Sequence, residues 1–284
     1  MSMIVWLNGS LLPLHEARIS PLDHGLLVGD GVFETLVARG GQIFADHEHW
    51  ERLVNSCSAM GLEPVPEDTF FQALHAVLEA NHLSDARIRF TVTSGDGPLG
   101  SDRGDSPMTL LATAVPLKGW PPVEKVCLVP WPRLENGALA GVKSTSYGEN
   151  VRALATAKRQ GCGEALLANT KGELCEGTGS NVFLVIQGRL VTPPLSSGCL
   201  AGVTRRLVLA ACAAEGIACH EEAIPAAVLT TCEEAFLTSS TRDVHPIAEV
   251  DGRPLSAPGP VTLSVQAAFA RLAEKMGIAG WSPA

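Results

Sequence analysis

Ala86-Arg87-Ile88-Arg89-Phe90-Thr91-Val92-Thr93 runs straight into Ser94-Gly95-Asp96-Gly97-Pro98-Leu99-Gly100. In the first part Ile88, Phe90 and Val92 fall on one face and Arg87, Arg89, Thr91 and Thr93 on the other, the period-two pattern of a half-buried strand. The second part spells G-x-G-x-x-G. After a strand, that motif marks a dinucleotide site only when a helix begins there, because the helix N-terminus holds the pyrophosphate. The next residues, Ser101-Asp102-Arg103-Gly104-Asp105-Ser106-Pro107, have the chemistry of a loop. A doubly wound nucleotide fold is therefore not expected. Gly29-Asp30-Gly31 and Gly177-Thr178-Gly179 lack the third glycine, and no Walker A motif occurs.

Working outward, the strands join by tight turns. Ile4–Leu7 leads into Asn8-Gly9, a hairpin turn signal. Gly31–Val37 and Gly41–Phe44 flank Arg39-Gly40-Gly41, and Thr109–Val115 reads as a further strand. A helix is expected between an Asp46 cap and Gly61, with Trp50, Leu53, Val54 and Cys57 on one stripe. Thr69–Asn81 reads as a second amphipathic helix. Gly119-Trp120-Pro121-Pro122-Val123-Glu124 is the sharpest composition break, since paired prolines fix φ and remove donors. It is read as a linker between residues 1–118 and 125–284. Beyond it, strands are expected at Val126–Val129, Glu164–Ala168, Asn181–Ile186 (entering a Gln187-Gly188 turn) and Glu234–Thr238. Helices are expected from an Asn150 cap to Gln160, at Val203–Glu215 and over 260–275. The sum is an α+β protein with antiparallel or mixed sheets and helices.

The chain has 284 residues, 46% of them hydrophobic and 18% charged, which excludes disorder and provides a substantial core. A net charge of −9 argues against a sequence-wide grip on nucleic acid, while leaving room for a local anion pocket. No apolar run approaches the roughly 18 residues of a membrane span. The N-terminus shows neither a positive n-region nor a cleavage-like site, so a signal peptide is not expected. The eight cysteines include no C-x-x-C pair, which favours free thiols in a reducing cytoplasm over zinc or a redox dithiol. His47, His49 and Asp23-His24 lack the helical H-E-x-x-H context, so no metal is expected.

Four segments can carry chemistry. Lys143 lies among small and hydroxylic neighbours, Ala140-Gly141-Val142-Lys143-Ser144-Thr145-Ser146-Tyr147. It is either an ordinary loop lysine or a partly desolvated amine, and desolvation makes such an amine a usable nucleophile or base. Glu176 sits in Glu173-Leu174-Cys175-Glu176-Gly177-Thr178-Gly179-Ser180, either solvated or at the mouth of a close backbone approach. Gly202-Val203-Thr204-Arg205 begins a helix whose N–H groups suit a phosphate. Thr238-Ser239-Ser240-Thr241-Arg242 ends a strand in hydroxyls that bind phosphate or cap a turn.

Together and in this order, these segments resemble the fold-type IV, pyridoxal 5'-phosphate (PLP) enzymes of the class IV aminotransferase family. That family includes branched-chain and D-amino acid aminotransferases, R-selective amine transaminases and aminodeoxychorismate lyases. The resemblance spans nearly the whole chain, from Trp6-Leu7-Asn8-Gly9 through Asp23-His24-Gly25 and Gly29-Asp30-Gly31-Val32-Phe33-Glu34-Thr35 to His245-Pro246-Ile247. It implies that Lys143 is the Schiff-base lysine and proton shuttle. It implies that Glu176 pairs with the pyridine nitrogen and that Tyr147, the only tyrosine, donates to the phenolic oxygen. Arg52, Val203, Thr204 and Ser240 would hold the phosphate, and Phe33, Arg89 and Thr241 would line the substrate site. Arg52 lies off the apolar stripe of its helix, which by itself implies a solvent-facing side chain; in the family that face walls the cleft between two domains. The family also implies a homodimer whose partner loop completes the pocket.

The implied reaction is transfer of an amino group between an amino acid, or an amine, and a 2-keto acid. Arg89 stands where branched-chain enzymes place an arginine for the substrate carboxylate. Those enzymes, however, read Phe-Glu-Gly-Ile-Arg where this chain has Phe33-Glu34-Thr35-Leu36-Val37. The Arg-x-His pair of the D-amino acid enzymes is absent from the loop after Thr93. Phe33-Glu34-Thr35 and Asp23-His24-Gly25 are also similar to aminodeoxychorismate lyases, which eliminate pyruvate with the same cofactor and lysine. Arg103 and Arg242 either serve a second substrate carboxylate or sit at the rim in solvent. A retired PLP scaffold is a third reading, against which the complement of Lys143, Tyr147, Glu176 and Arg52 argues. D or L choice stays open.

Overall fold

The computed structural model describes residues 2–278. The chain forms two compact units, residues 1–118 with 142–147, and residues 119–141 with 148–284. The segment carrying Lys143 thus belongs to the first unit, although it lies beyond the Pro-Pro break. Backbone bonds put it there: Phe33 N donates to Lys143 O at 3.0 Å and Thr145 N to Gly31 O at 2.8 Å.

The first unit contains β1 (Ile4–Leu7), β2 (Ser10–Pro13), α1 (His24–Leu27), β3 (Gly31–Arg39), β4 (Gln42–Ile43), α2 (Asp46–Met60), α3 (Glu67–Ala80), β5 (Ala86–Thr93) and β6 (Thr109–Pro116). Its sheet runs β2-β1-β6-β5-β3-β4, and every pair is antiparallel. Asn8 and Gly9 both take positive φ, as a two-residue hairpin turn requires. β5 keeps the expected alternation: Ile88, Phe90 and Val92 are fully buried and pack with Leu36, Leu53 and Phe70. Phe90 meets Phe70 edge-on at 5.0 Å. The expected Asp46 cap is corrected. Ala45, buried and left-handed, is the N-cap, and Asp46 is the first helical residue, its carboxylate accepting from His47 N at 2.9 Å. Gly61 closes α2 in the left-handed conformation, as the sequence implies.

The second unit contains β7 (Glu124–Leu128), α4 (Gly148–Arg159), β8 (Glu164–Ala168), β9 (Leu174–Gly177), β10 (Asn181–Ile186), β11 (Arg189–Thr192), α5 (Val203–Ala214), β12 (Cys219–Glu221), β13 (Glu234–Ser239), β14 (Asp243–Val250), β15 (Arg253–Pro254) and α6 (Pro260–Lys275). The strands order as β12-β11-β10-β13-β14-β7-β8-β9, with β15 on β14. The sheet is mixed, with β7 parallel to both β8 and β14. Phe183 stacks on its cross-strand partner Phe236 at 4.9 Å. Asn150 does not cap α4. It lies inside the helix, buried, and its Nδ2 donates to Thr178 O at 2.6 Å. β9 and β14 are strands that the sequence reading leaves as loop.

Candidate active site

In the first unit, position 31 is held to glycine by crowding: a Cβ there would come within 2.5 Å of Val92 O. This close packing sets residues 143–145 along the start of β3, with Val32 opposite Ser144. Lys143 Nζ lies 3.4 Å from the Tyr147 hydroxyl and 4.4 Å from the centre of the Phe33 ring. Tyr147 meets Phe33 edge-on at 5.0 Å. Arg89, on the polar face of β5, places its guanidinium 3.6 Å from the same ring centre, and its Nε donates to Thr91 Oγ1 at 3.1 Å. Among the described residues no carboxylate pairs with Arg89. The residue keeps solvent contact, yet desolvation around the guanidinium pulls its pKa below the ordinary arginine value.

One position along β3 the chain presents Glu34 on the opposite, core-facing side, between Val32 and Leu36. Glu34 is fully buried. Arg52 grips it from α2 through Nε to Oε1 at 2.8 Å and Nη2 to Oε2 at 2.7 Å. His49, one helical turn earlier, sets Nδ1 2.7 Å from Oε2. Burial pushes the Glu34 carboxyl up, but the charges and hydrogen bonds of Arg52 and His49 outweigh it and hold the pKa lowered to about 2. For His49 burial dominates and lowers the pKa against the pull of Glu34; Lys143 adds in the same downward direction. The expectation that Arg52 faces solvent is therefore corrected: its side chain is 12% exposed. The buried face of α2 includes His49 and Ser56 beside Leu53 and Cys57, because Glu34 supplies a polar partner that the apolar stripe does not reveal.

The glycine loop after β5 is fastened by buried side chains. Asp23 accepts from Gly25 N and from the hydroxyls of Thr93 and Thr109 at 2.7–2.8 Å. His24 Nε2 lies 2.7 Å from Pro98 O. Arg103 is exposed, as a rim residue would be, but it is held by an acid. It binds Asp30 through Nε and Nη2 at 2.7 and 2.5 Å and donates to the carbonyls of Gly61 and Met60.

In the second unit Glu176 lies near the end of β9, largely buried. Its Oε2 accepts from Leu200 N at 2.9 Å, and Arg133 Nε stands 3.4 Å from Oε1. The turn after β9 is clamped by Glu164, which accepts from Thr178 N at 3.1 Å, from the Thr178 hydroxyl in a short bond, and from Ser180 Oγ at 3.2 Å. Asn181 Nδ2 donates to Leu200 O at 2.9 Å and leaves no space for a side chain at Gly202, the N-cap of α5. Val203 and Thr204 form the buried first turn of that helix. Ser240 and Thr241 occupy the turn between β13 and β14, Thr241 buried and Ser240 half-buried.

Both sequence readings of Arg242 are overturned. It is buried, lies 3.6 Å from the Trp120 ring centre, pairs with Glu124 at 2.8 Å, and meets His245 Nδ1 at 2.9 Å. His245 in turn sets Nε2 2.7 Å from Pro121 O. Sequence reasoning misses Glu34, His49, Arg133, Glu124 and Glu164 as residues of these clusters. The one available signal is the i, i+3 spacing of His49 and Arg52 on a helix.

The first unit thus holds a lysine on an aromatic ring and an arginine gripped by a buried acid, and the second holds a buried carboxylate bonded to Leu200 N. The amino-transferase class IV family profile matches residues 31–250. The chain belongs to the class IV aminotransferase family. As a member it is a PLP-dependent transaminase of fold type IV. It is 35% identical to a putative branched-chain-amino-acid aminotransferase of Methanocaldococcus jannaschii, covering 97% of this chain and 98% of that protein. It is 30% identical to D-alanine aminotransferase of Bacillus licheniformis, covering 94% and 96%. The solved branched-chain aminotransferase of Thermoproteus uzoniensis with norvaline superposes with a TM-score of 0.90 at 29% identity, over 98% of this chain and 96% of that one.

Proposed function

We propose that this transaminase moves the amino group of an aliphatic, branched-chain-type amino acid to a 2-keto acid, with Lys143 as the working amine. The observation that carries the reading is the cluster on Phe33. Lys143 Nζ and the Arg89 guanidinium lie over one ring, at 4.4 and 3.6 Å, and among the described residues no acid neutralises Arg89. The ring offers an apolar wall to an aliphatic side chain, and Arg89 offers a two-pronged donor to the substrate carboxylate. By the family pattern Thr241 would also serve the substrate.

The residues fit PLP. Bound PLP supplies the aldehyde that takes up the amino group and an electron-withdrawing ring that weakens the Cα–H bond. Lys143 Nζ would be the amine that holds the cofactor between turnovers and the base that moves the substrate proton. The Tyr147 hydroxyl donates to the phenolic oxygen. The Glu176 carboxylate, kept in place by Leu200 N and Arg133, would keep the ring nitrogen protonated. By the family pattern Arg52, the Val203 backbone, Thr204 and Ser240 would be the phosphate ligands.

The reading includes a cytoplasmic homodimer. Its supports are eight free cysteines and a first-unit surface bearing exposed Ile19, Leu22, Leu26 and Leu99, the last 80% exposed. A second copy would cover that apolar surface. No helix among the described residues is long and apolar enough to cross a membrane.

The test is amino transfer to 2-oxoglutarate by the PLP-loaded protein from L-valine, L-leucine and D-alanine in parallel, with aminodeoxychorismate as the control for pyruvate release. Transfer from the L-aliphatic donors is expected. Transfer from D-alanine alone overturns the substrate class, and pyruvate release without transfer favours the lyase.

A further inference from the structure

Glu34 has no role in the proposed amino transfer, yet it is fully buried and both its oxygens are engaged. A carboxylate between Val32 and Leu36, on the core face of β3, is costly to desolvate, and a well-packed apolar residue in its place would serve stability as well or better. Its geometry answers a different need. Both oxygens engage Arg52, one to Nε and one to Nη2. A guanidinium held by that edge has a fixed plane, with its Nη1 edge turned away from the acid. His49 Nδ1, 2.7 Å from Oε2, fixes the carboxylate in turn. A long, rotamer-rich side chain is thereby set before any ligand arrives.

We propose that Glu34 is the positioning residue that aims Arg52 at the cofactor phosphate, with His49 locking the carboxylate. This rests on the assignment of Arg52 to the phosphate. Glu34 touches neither substrate nor cofactor and acts only through Arg52. Its negative charge lowers the net attraction of the pair for a dianion, so the gain is orientation rather than field.

The experiment compares binding of PLP and of pyridoxal, which lacks the phosphate, to full-length protein resolved of cofactor, followed by the visible band of the bound chromophore. The ratio of the two dissociation constants is the phosphate increment. Arg52→Met sets the scale of its loss. Glu34→Gln is expected to weaken PLP binding about ten- to a hundredfold, the range for a charge-assisted contact, and to leave pyridoxal binding within about threefold. In the double variant Glu34→Gln/Arg52→Met, which leaves no unpaired buried charge, Glu34→Gln should add nothing further to the loss. Should Glu34→Gln alone not fold, His49→Gln and the double variant carry the comparison, with the same selective loss expected of His49→Gln. Equal weakening of PLP and pyridoxal, or an unchanged increment in both Glu34→Gln and His49→Gln beside a reduced one in Arg52→Met, overturns the role of Glu34. An unchanged increment in Arg52→Met overturns the phosphate assignment itself.

Discussion

Arg89 lies 3.6 Å from the centre of the Phe33 ring, on the strand next to it, and finds no acid among the described residues. Cross-strand geometry explains the contact. Arg89 is opposite Thr35 and Thr91 is opposite Phe33, so all four side chains share the face that turns away from the core. An arginine parked on an aromatic face keeps its plane and its charge while its donor edge stays open. Replacing Arg89 with leucine should raise KM for the amino-acid donor and lower kcat/KM about ten- to a hundredfold, the worth of a charged hydrogen-bonded contact. Arg89→Lys should recover only part of it, and steady-state kinetics with each donor checks both.

Lys143→Ala should abolish turnover, a loss of at least about a thousandfold from the proton transfer and anchoring together. The variant should unfold at the same urea concentration as wild type, because Lys143 is only half-buried and its Nζ meets Tyr147 and Phe33. A Lys143→Ala protein with full activity would sink the whole assignment.

Arg242 should behave as a stability residue. Arg242→Met leaves Glu124 buried without its partner, and breaking such a pair costs about 3–5 kcal/mol. Denaturant unfolding should report that loss, while KM for the amino acid in the folded fraction stays unchanged.

Stability should fall with acid in two stages. Burial lowers His49 and His245 below the ordinary value of 6.5, so the unfolded chain binds those protons first and stability declines as pH drops below 6.5. Glu34 is depressed from 4.5 to about 2, so its contribution is present above 4.5 and is lost as pH falls toward about 2. Urea unfolding from about pH 8 to about pH 3 checks the sequence of losses. His49→Gln should reduce the upper stage to the share of His245 and shrink the lower one, because Glu34 loses one of the groups that depress it.

The parts of the fold legible in the sequence are those where one face is wet. β5 alternates because only one of its sides meets the core, and Asn8-Gly9 and Gly61 announce their backbone conformations directly. β14 is illegible because Val244 through Ile247 are buried on both sides and include Pro246, which removes both the alternation and a donor. β9 hides among glycines and acids for a related reason: all four of its residues are buried. Asn150 reads as a cap until Thr178 O, 28 positions away, is seen to claim its amide.

The site divides in the same way. Lys143 and Tyr147 sit four residues apart in one segment, so their pairing is visible as a local motif. The partners of Arg52 and Arg242 are not local: Glu34 lies 18 residues away on a strand and Glu124 lies 118 away. A buried charge pair has no sequence period, so spacing alone assigns such arginines to solvent or to substrate.

Residues 142–147 belong to the first unit while the chain on both sides of them belongs to the second, so the polypeptide crosses between units three times, after 118, 141 and 147. No single scission therefore yields two self-sufficient fragments. A piece ending at residue 118 retains Phe33, Arg52 and Arg89 but forfeits the amine, and the remainder owns Lys143 without the β3 edge that orders it. Fragment complementation should succeed only if the cut spares that excursion, and a shuffled gene can inherit the Phe33–Lys143 cluster only by exchanging both pieces together.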